Sequence, residues 1–430
     1  MSDGVNDGVV VVGGGAAGLT LAHWLTRTGA GPVTVVEAPE GPLRPAERTW
    51  CHWDDGPGEF EEAVTAEWSR LRVTGPDGGV VEAEPAPLRY RMLRSTPFER
   101  LVHARLAAHP GAGLLRATVH GVRGRTDGMP GAEVHGAGAD GRPFTLLGRY
   151  VFDSRPLPGL PPARTTLLQH FRGWFVHTDR PRFDPATAHL MDFRVPQPAH
   201  GLAFGYVLPL AEDRALVEYT EFSRRPLERA AYDSALTHYT GRVLGLGAFT
   251  VTGTEQGVIP MTDARFPRRF PPPGTTDGRF PRRGGPAPAH FPIGTAGGAT
   301  RPATGYTFAA VQRQSRAIAA ALAHRPGGLA GAPRPHPRRA LAMDAVLLRA
   351  LDTGRVDGPR FFTDLFARTP AERVLRFLDG GSTALEDFRL GLTCPVGPML
   401  RTAAELPFLP RRTAPTTPVP TTPAATDDRH

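Results

Sequence analysis

Four consecutive valines, Val9 to Val12, run straight into GGGAAGLTLAHWL, which sets Gly13, Gly15 and Gly18 in GxGxxG spacing between a predicted strand and a predicted helix over Ala16 to Thr26. Each glycine has a separate physical task. The first permits a tight turn, the second lets backbone amides approach a pyrophosphate, and the third lets helix and strand pack closely. A second β-branched run, Val33 to Val36, follows and ends in Glu37, nineteen residues beyond Gly18. A carboxylate at that strand tip accepts hydrogen bonds from adenosine ribose hydroxyls, which favours FAD or NAD over a 2′-phosphorylated dinucleotide. The unit sits at the start of 430 residues, so a doubly wound FAD enzyme is expected in preference to a simple dehydrogenase.

Two further stretches fit such a fold. Ile293 to Leu322 reads IGTAGGATRPATGYTFAAVQRQSRAIAAAL, a glycine-rich turn with Gly294, Gly297, Gly298 and Gly305 ahead of a long alanine-rich helix. In flavoproteins of this broad fold a late glycine turn meets the ribityl and pyrophosphate groups. Their usual acidic residue is replaced here by Thr295. YVFDSRP, Tyr150 to Pro156, is an apolar strand ending in Asp153 and Arg155, either the D-x-R of the strand returning to a nucleotide domain or a local ion pair at a surface turn.

The reaction type hangs on RALVEYTEFS, with Glu218 and Glu221. Strand alternation puts Glu218 on one face with Leu216 and Glu221 on the other with Val217 and Tyr219, so one acid only is expected to look into a pocket. Burial there disfavours the charged carboxylate, and a neutral acid can protonate carbon. The alternative is that both are ordinary exposed strand carboxylates.

Composition narrows the remaining choices. The formal net charge is +8, and every basic residue is arginine. Guanidinium pairs bidentately with phosphate and keeps its charge. That suits a cofactor pyrophosphate or lipid headgroups, whereas nucleic acid has only net charge in its favour and no recognised motif. Cys51 and Cys394 are the only cysteines, too few for a disulfide framework or a structural metal site, which favours a reducing cytosol. No run reaches the roughly 18 apolar residues of a spanning helix, so membrane contact is expected to be peripheral.

The expected organisation is an α/β chain with a Rossmann-like FAD-binding domain from 1–165 and 250–330, of which 48–150 lies partly on the substrate side. A mixed-sheet substrate domain is inserted at 166–249, where LMDFRV, AFGYVLPL and RALVEYTEF read as strands. A helical cap follows over 331–409, with Met343, Val346, Leu347 and Leu351 at helical spacing. The Pro-, Gly- and Arg-dense stretch from Arg265 to Pro288 reads as a surface loop, and the Pro- and Thr-rich 410–430 as a disordered tail.

The chain resembles the bacterial flavin-dependent lycopene cyclases. RTWCHW, LLQHFRGWFV, LMDFRV, YVLPL, LVEYT, EQGVIPMT, GGATRPATGYTF and RFLDG recur in that family's order. The resemblance implies a glutathione-reductase-like FAD fold and a reduced flavin, supplied with electrons by NADPH or another donor. It further implies ring closure on lycopene without net redox change, and Glu218 as the catalytic acid. Relatives often carry a second acid beside it; Tyr219 stands there in this chain. A hydrocarbon substrate calls for an apolar site with aromatic walls, for which Phe204, Tyr206 and Trp174 are candidates, and for a protein attached to the inner face of the cell membrane. Two other readings remain: a redox flavoenzyme, such as a monooxygenase or prenyl reductase, and a carotenoid carrier without chemistry.

Overall fold

The computed structural model describes residues 8–125, 129–270, 289–324 and 329–413. In chain order, β1 (Val9–Val12), α1 (Ala16–Thr28) and β2 (Val33–Glu37) form the expected βαβ unit. Next come β3 (Thr49–Asp54), β4 (Val64–Trp68), the hairpin β5 (Arg70–Thr74) and β6 (Val80–Ala83), and β7 (Arg89–Arg94). Helix α2 (Ser95–Ala107) leads into β8 (Ala112–Gly124), β9 (Ala132–Gly138), β10 (Pro143–Gly148) and β11 (Tyr150–Asp153). The middle holds β12 (Thr166–Thr178), β13 (Thr187–Asp192), β14 (Leu202–Pro209), β15 (Arg214–Ser223), α3 (Arg229–His238) and β16 (Phe249–Thr262). The last part comprises β17 (His290–Pro292), α4 (Phe308–His324), α5 (Arg338–Asp352), α6 (Gly358–Arg368), α7 (Ala371–Asp379), α8 (Ala384–Thr393) and α9 (Val396–Glu405).

The strands make three sheets. The first, in order β10-β9-β8-β2-β1-β11-β17, is parallel from β8 to β17 and closes with an antiparallel β9–β10 edge. Its central strand is four valines, all buried, as a parallel strand covered on both faces requires. Helices α1, α2 and α4 pack together on one face, where Leu19, Leu25, Val102 and Ile318 share a core with Val9, Val11 and Val35. Residues of β8, β9 and β10 close the other face around Val10, Val12 and Val151.

The second sheet, β16-β12-β15-β14-β13-β5-β6, draws on a wider span of sequence than 166–249. Strand β5 pairs parallel with β13, and β16 pairs with β12 from Thr166↔Thr262 to Thr178↔Phe249. The chain therefore re-enters the first sheet at His290 on β17, not at 250, because thirteen paired positions hold β16 in the second sheet. Helices α5 to α8 lie against one face of this sheet and bury Leu348, Leu351, Phe362, Leu365, Val374 and Leu375. The opposite face is covered by α3 around Val217, Tyr219 and Tyr232.

A three-stranded sheet, β3-β7-β4, joins the two. Alternation along β3 explains how. Trp50 and His52 pack on Phe308 of the nucleotide side, while Cys51 and Trp53 belong to the core of the second sheet.

Of the stretch expected as a surface loop, residues 271–288 lie outside the described residues. So do residues 414–430 of the expected tail. Its first residues are anchored: Ala163 and Arg412 exchange two backbone hydrogen bonds of 2.9 and 2.8 Å, which ties the end of the helical region to the start of β12.

Candidate active site: a buried acid pair between two sheets

Glu218 lies near the middle of β15, with Tyr206 of β14 directly opposite on one side and Gly173 of β12 on the other. Gly173 is in turn opposite Glu255 of β16. Tyr206, Glu218, Gly173 and Glu255 thus form one row across four strands, on one face of the sheet. The glycine is what lets the two acids meet. A Cβ at position 173 would come within 2.7 Å of Glu218 Cγ and 2.9 Å of Leu216 Cδ1, so any larger residue would occupy the space the Glu218 side chain crosses to reach Glu255.

Glu218 is buried, and Glu255 lies beside it on the edge strand of the sheet, where it is partly exposed. Burial, then the adjacent Glu255 carboxylate, pushes Glu218 well above the usual carboxylate range. Glu255 is raised as well, by burial, but the Thr49 hydroxyl donates to it at 2.6 Å and the Arg94 guanidinium opposes the rise. The pair therefore keeps a proton above the usual carboxylate range. This is the behaviour of two like acids that cannot both ionise in one apolar site.

The β3-β7-β4 sheet roofs the pair. Tyr90 Oη lies 2.6 Å from Tyr206 Oη and 3.1 Å from Tyr306 Oη, and Cys51 packs into the same apolar cluster. Burial pushes its thiol up to about 12, so Cys51 is an inert neutral group at physiological pH. Trp53 meets the Tyr306 ring edge-on at 4.6 Å between centroids. Hydroxyls and π faces border the acids on this side, and Arg94, itself paired with Glu47, acts on Glu255.

The remaining expectations fall as follows. Glu221 lies on the opposite face, where Tyr219 Oη donates to it at 3.2 Å. Tyr206 is in the row, and Phe204 is on the same face, edge-to-face with Phe222 at 5.5 Å. Trp174 is not a wall of this site: alternation gives Gly173 the acid face, and Trp174 packs beside Phe249 in the core under α3. Glu255 was missed as an acid although EQGVIPMT was noted as a motif; a residue's cross-strand neighbour cannot be read without the ladder register.

On the expected nucleotide side, the glycines meet at the start of α1. Gly13 has φ +100°, and a Cβ on Gly18 would lie 1.8 Å from the Gly13 carbonyl oxygen, so helix and turn can touch only without one. At Gly15, the N-cap of α1, a Cβ would face open space, and no side chain caps the helix. Gly294 approaches Ala17 of α1, with 2.7 Å from its ideal Cβ to Ala17 Cβ, so the turn of Gly294, Gly297 and Gly298 closes on the same helix end. Gly305 lies elsewhere, against Gln169 of β12. Glu37 is buried behind Gly14, with Arg44 at 2.7 Å, Arg116 at 2.9 Å and His103 at 3.0 Å; burial acts to raise it, but the bonds to these three partners outweigh that and hold it below the usual carboxylate range. Asp153 is held down to about 2 although burial acts the other way, because His290 and Arg155 bond both oxygens.

Two sheets joined this way, with a glycine turn after the first strand, define the α/β fold of flavoprotein oxygenases and reductases. Solved structures with this fold include p-nitrophenol 4-monooxygenase from Pseudomonas putida, at TM-score 0.55 and 16% identity over 95% of this chain and 99% of that one. A geranylgeranyl bacteriochlorophyll reductase-like protein from Thermoplasma acidophilum matches at TM-score 0.53 and 16% identity, over 93% and 96%. A flavoprotein/dehydrogenase from Cytophaga hutchinsonii matches at TM-score 0.57 and 11% identity, over 93% and 99%. No curated protein sequence matches the chain. The family model described as "Lycopene cyclase protein" matches residues 8–404, and the chain belongs to that family.

Proposed function

We propose that this protein closes β-ionone rings on the ends of lycopene, using the proton that Glu218 holds. The observation that carries the reading is the Tyr206–Glu218–Gly173–Glu255 row beneath the β3-β7-β4 sheet, where burial and the neighbouring acid both favour the protonated form of Glu218. Glu218 donates its proton to C2 of a terminal double bond, which leaves a tertiary cation at C1. The C5 to C6 double bond attacks C1, and loss of the C6 proton gives the ring, so one proton enters and one leaves. The Glu218 carboxylate left beside Glu255 is disfavoured there, so it takes back the C6 proton and the neutral acid is restored. The π faces of Trp53, Tyr90 and Tyr306 offer a cation electron density without a nucleophile that would trap it.

The open cradle at Gly15 and the uncapped start of α1 fit the pyrophosphate of FAD in a glutathione-reductase-like mode, with Gly13, Gly18, Gly294, Gly297 and Gly298 shaping the turns. Glu37 is placed for the adenosine end, and Asp153 serves by fixing β11 to β17 and the Arg155 turn. Reduced FAD would supply negative charge to balance a cationic reaction, with NADPH or another donor keeping it reduced. The substrate dissolves in lipid, so the proposed place of work is the inner face of the cell membrane.

Production of the protein in a lycopene-accumulating bacterium, followed by pigment chromatography, tests this reading. Monocyclic or bicyclic β-ring products are expected. Unchanged lycopene, or a hydroxylated or hydrogenated product formed with stoichiometric NAD(P)H consumption, would refute it.

A further inference from the structure

Helices α8 and α9 carry their largest apolar side chains outward. On α8, Leu385, Phe388 and Leu392 lie on one face and are 57%, 65% and 61% exposed; on α9 and the turn after it, Leu400 and Phe408 are 65% and 86% exposed. Six of the eleven large exposed hydrophobic residues among the described residues fall between Leu385 and Phe408, Val396 being the sixth. A water-facing helix face normally reads the other way. Loose packing is not the cause, since Thr383 and Glu386 form a reciprocal capping box at the start of α8 and Leu390 anchors its inner face.

Arginine accompanies this face. A cleft of about 120 Å³ between α7 and α8 is lined by Arg368, Arg373 and Arg389 together with Glu386. Arg373 and Arg389 form no ion pair among the described residues, and Glu386 is spent on the Thr383 backbone and hydroxyl at 2.7 and 2.9 Å. The other acids of this stretch are engaged too, Asp387 with Arg339 and Ser382, and Glu405 with Arg349 and Arg355. Arg368 pairs with Asp364 at 3.2 Å, and the apolar groups beside the unpaired Arg373 and Arg389 match the headgroup boundary of a bilayer that carries anionic phosphate.

Other occupants fit less well. Of the sequence outside the described residues, 414–430 contains Val419 as its one large apolar residue and 271–288 contains Phe280. Neither can cover six side chains. A second copy would bring the same surface, whose acids Asp387 and Glu405 are already engaged, and so no free carboxylate of this stretch to pair with Arg389 and Arg401. The inner faces of the same helices, through Leu390, Cys394 and Met399, belong to one apolar cluster with Tyr90, Tyr206 and Tyr306 beside the acid pair.

We infer that the outer face of α8 and α9, with the arginine cleft beside α8, is the surface by which this protein seats on an anionic phospholipid bilayer. The inference rests on the proposed function for its purpose, but its test needs no turnover. Purified protein is floated with phosphatidylcholine vesicles, with and without phosphatidylglycerol, as wild type, as Leu385→Ser/Phe388→Ser/Leu392→Ser, and as Arg373→Gln/Arg389→Gln. Wild type should float with the anionic vesicles. The triple serine variant should lose about 100-fold in partition, roughly fivefold per side chain, and the glutamine pair about 25-fold, roughly fivefold per arginine, with no further loss in about 0.5 M salt. Both arginines are at the surface, so that variant is free of folding effects. Equal flotation of all three proteins, or no flotation of wild type, would overturn the inference. So would wild-type self-association that the serine variant abolishes while neither protein floats. Cyclisation of detergent-dispersed lycopene by the variants separates a failed docking surface from a failed enzyme assignment.

Discussion

The setting of Glu218 depends on two neighbours that can be changed one at a time. Glu255→Gln removes the like charge, so burial alone would raise Glu218; the alkaline limb of the cyclisation rate should move to lower pH and the rate fall by about 10² to 10³. An unaltered profile would show that the carboxyl pair is not coupled in turnover. Gly173→Ala puts a methyl group 2.7 Å from Glu218 Cγ, and overpacking there should cost about 1–3 kcal/mol in stability, read by denaturant unfolding, together with most of the activity. The raised value of Glu218 also sets a sign for stability. A carboxyl that binds its proton more tightly when folded gives its full stabilisation below the ordinary glutamate range, near 4.3, and loses it as pH rises through the folded value. The melting temperature of wild type should therefore drop more steeply than that of Glu218→Gln as the medium becomes alkaline. Alternation along RALVEYTEFS was enough to separate Glu218 from Glu221. Glu255, thirty-seven residues later, could be joined to Glu218 only through β12 between them, and that pairing is long-range.

At the scale of elements, the β1-α1-β2 unit was readable because its interactions are local: a buried strand, glycines that clear the turn and a helix over Ala16–Thr28. Its ligand role can be tested without turnover. Gly15→Val places a branched side chain in the open cradle at the start of α1, and the purified variant should lose its bound flavin absorbance; full retention would argue against a cofactor there. Asp153 gives the second test. Held at about 2 against an ordinary value of 3.8, it contributes about 2 kcal/mol that is present above pH ~4 and lost as pH falls through ~2. Asp153→Asn should destabilise by that amount at neutral pH in denaturant titrations, with the gap to wild type closing in acid. Strands β5, β6 and β16 were assigned to the wrong neighbourhood or left unassigned. Their partners are set by which open sheet edge they reach, and neither hydrophobic period nor turn residues encode that.

In the whole molecule, the nucleotide sheet, the substrate sheet and the small β3-β7-β4 sheet meet at one place. The TWCHWD strand serves both sides, sending Trp50 and His52 toward α4 and Thr49, Cys51 and Trp53 toward the acids. That double use was hidden in the sequence, because six residues of mixed polarity carry no sign of what lies on either face. Tyr206 was among the expected walls, but its hydroxyl partners Tyr90 and Tyr306 were hidden for the same reason, as the three come from distant segments. The direct test of the account is the product formed from lycopene by Glu218→Gln, purified with its flavin and assayed under reducing, anaerobic conditions. Loss of ring formation by about 10³-fold or more, with flavin content and melting temperature at neutral pH preserved, is the predicted result. Ring formation at the wild-type rate would contradict it.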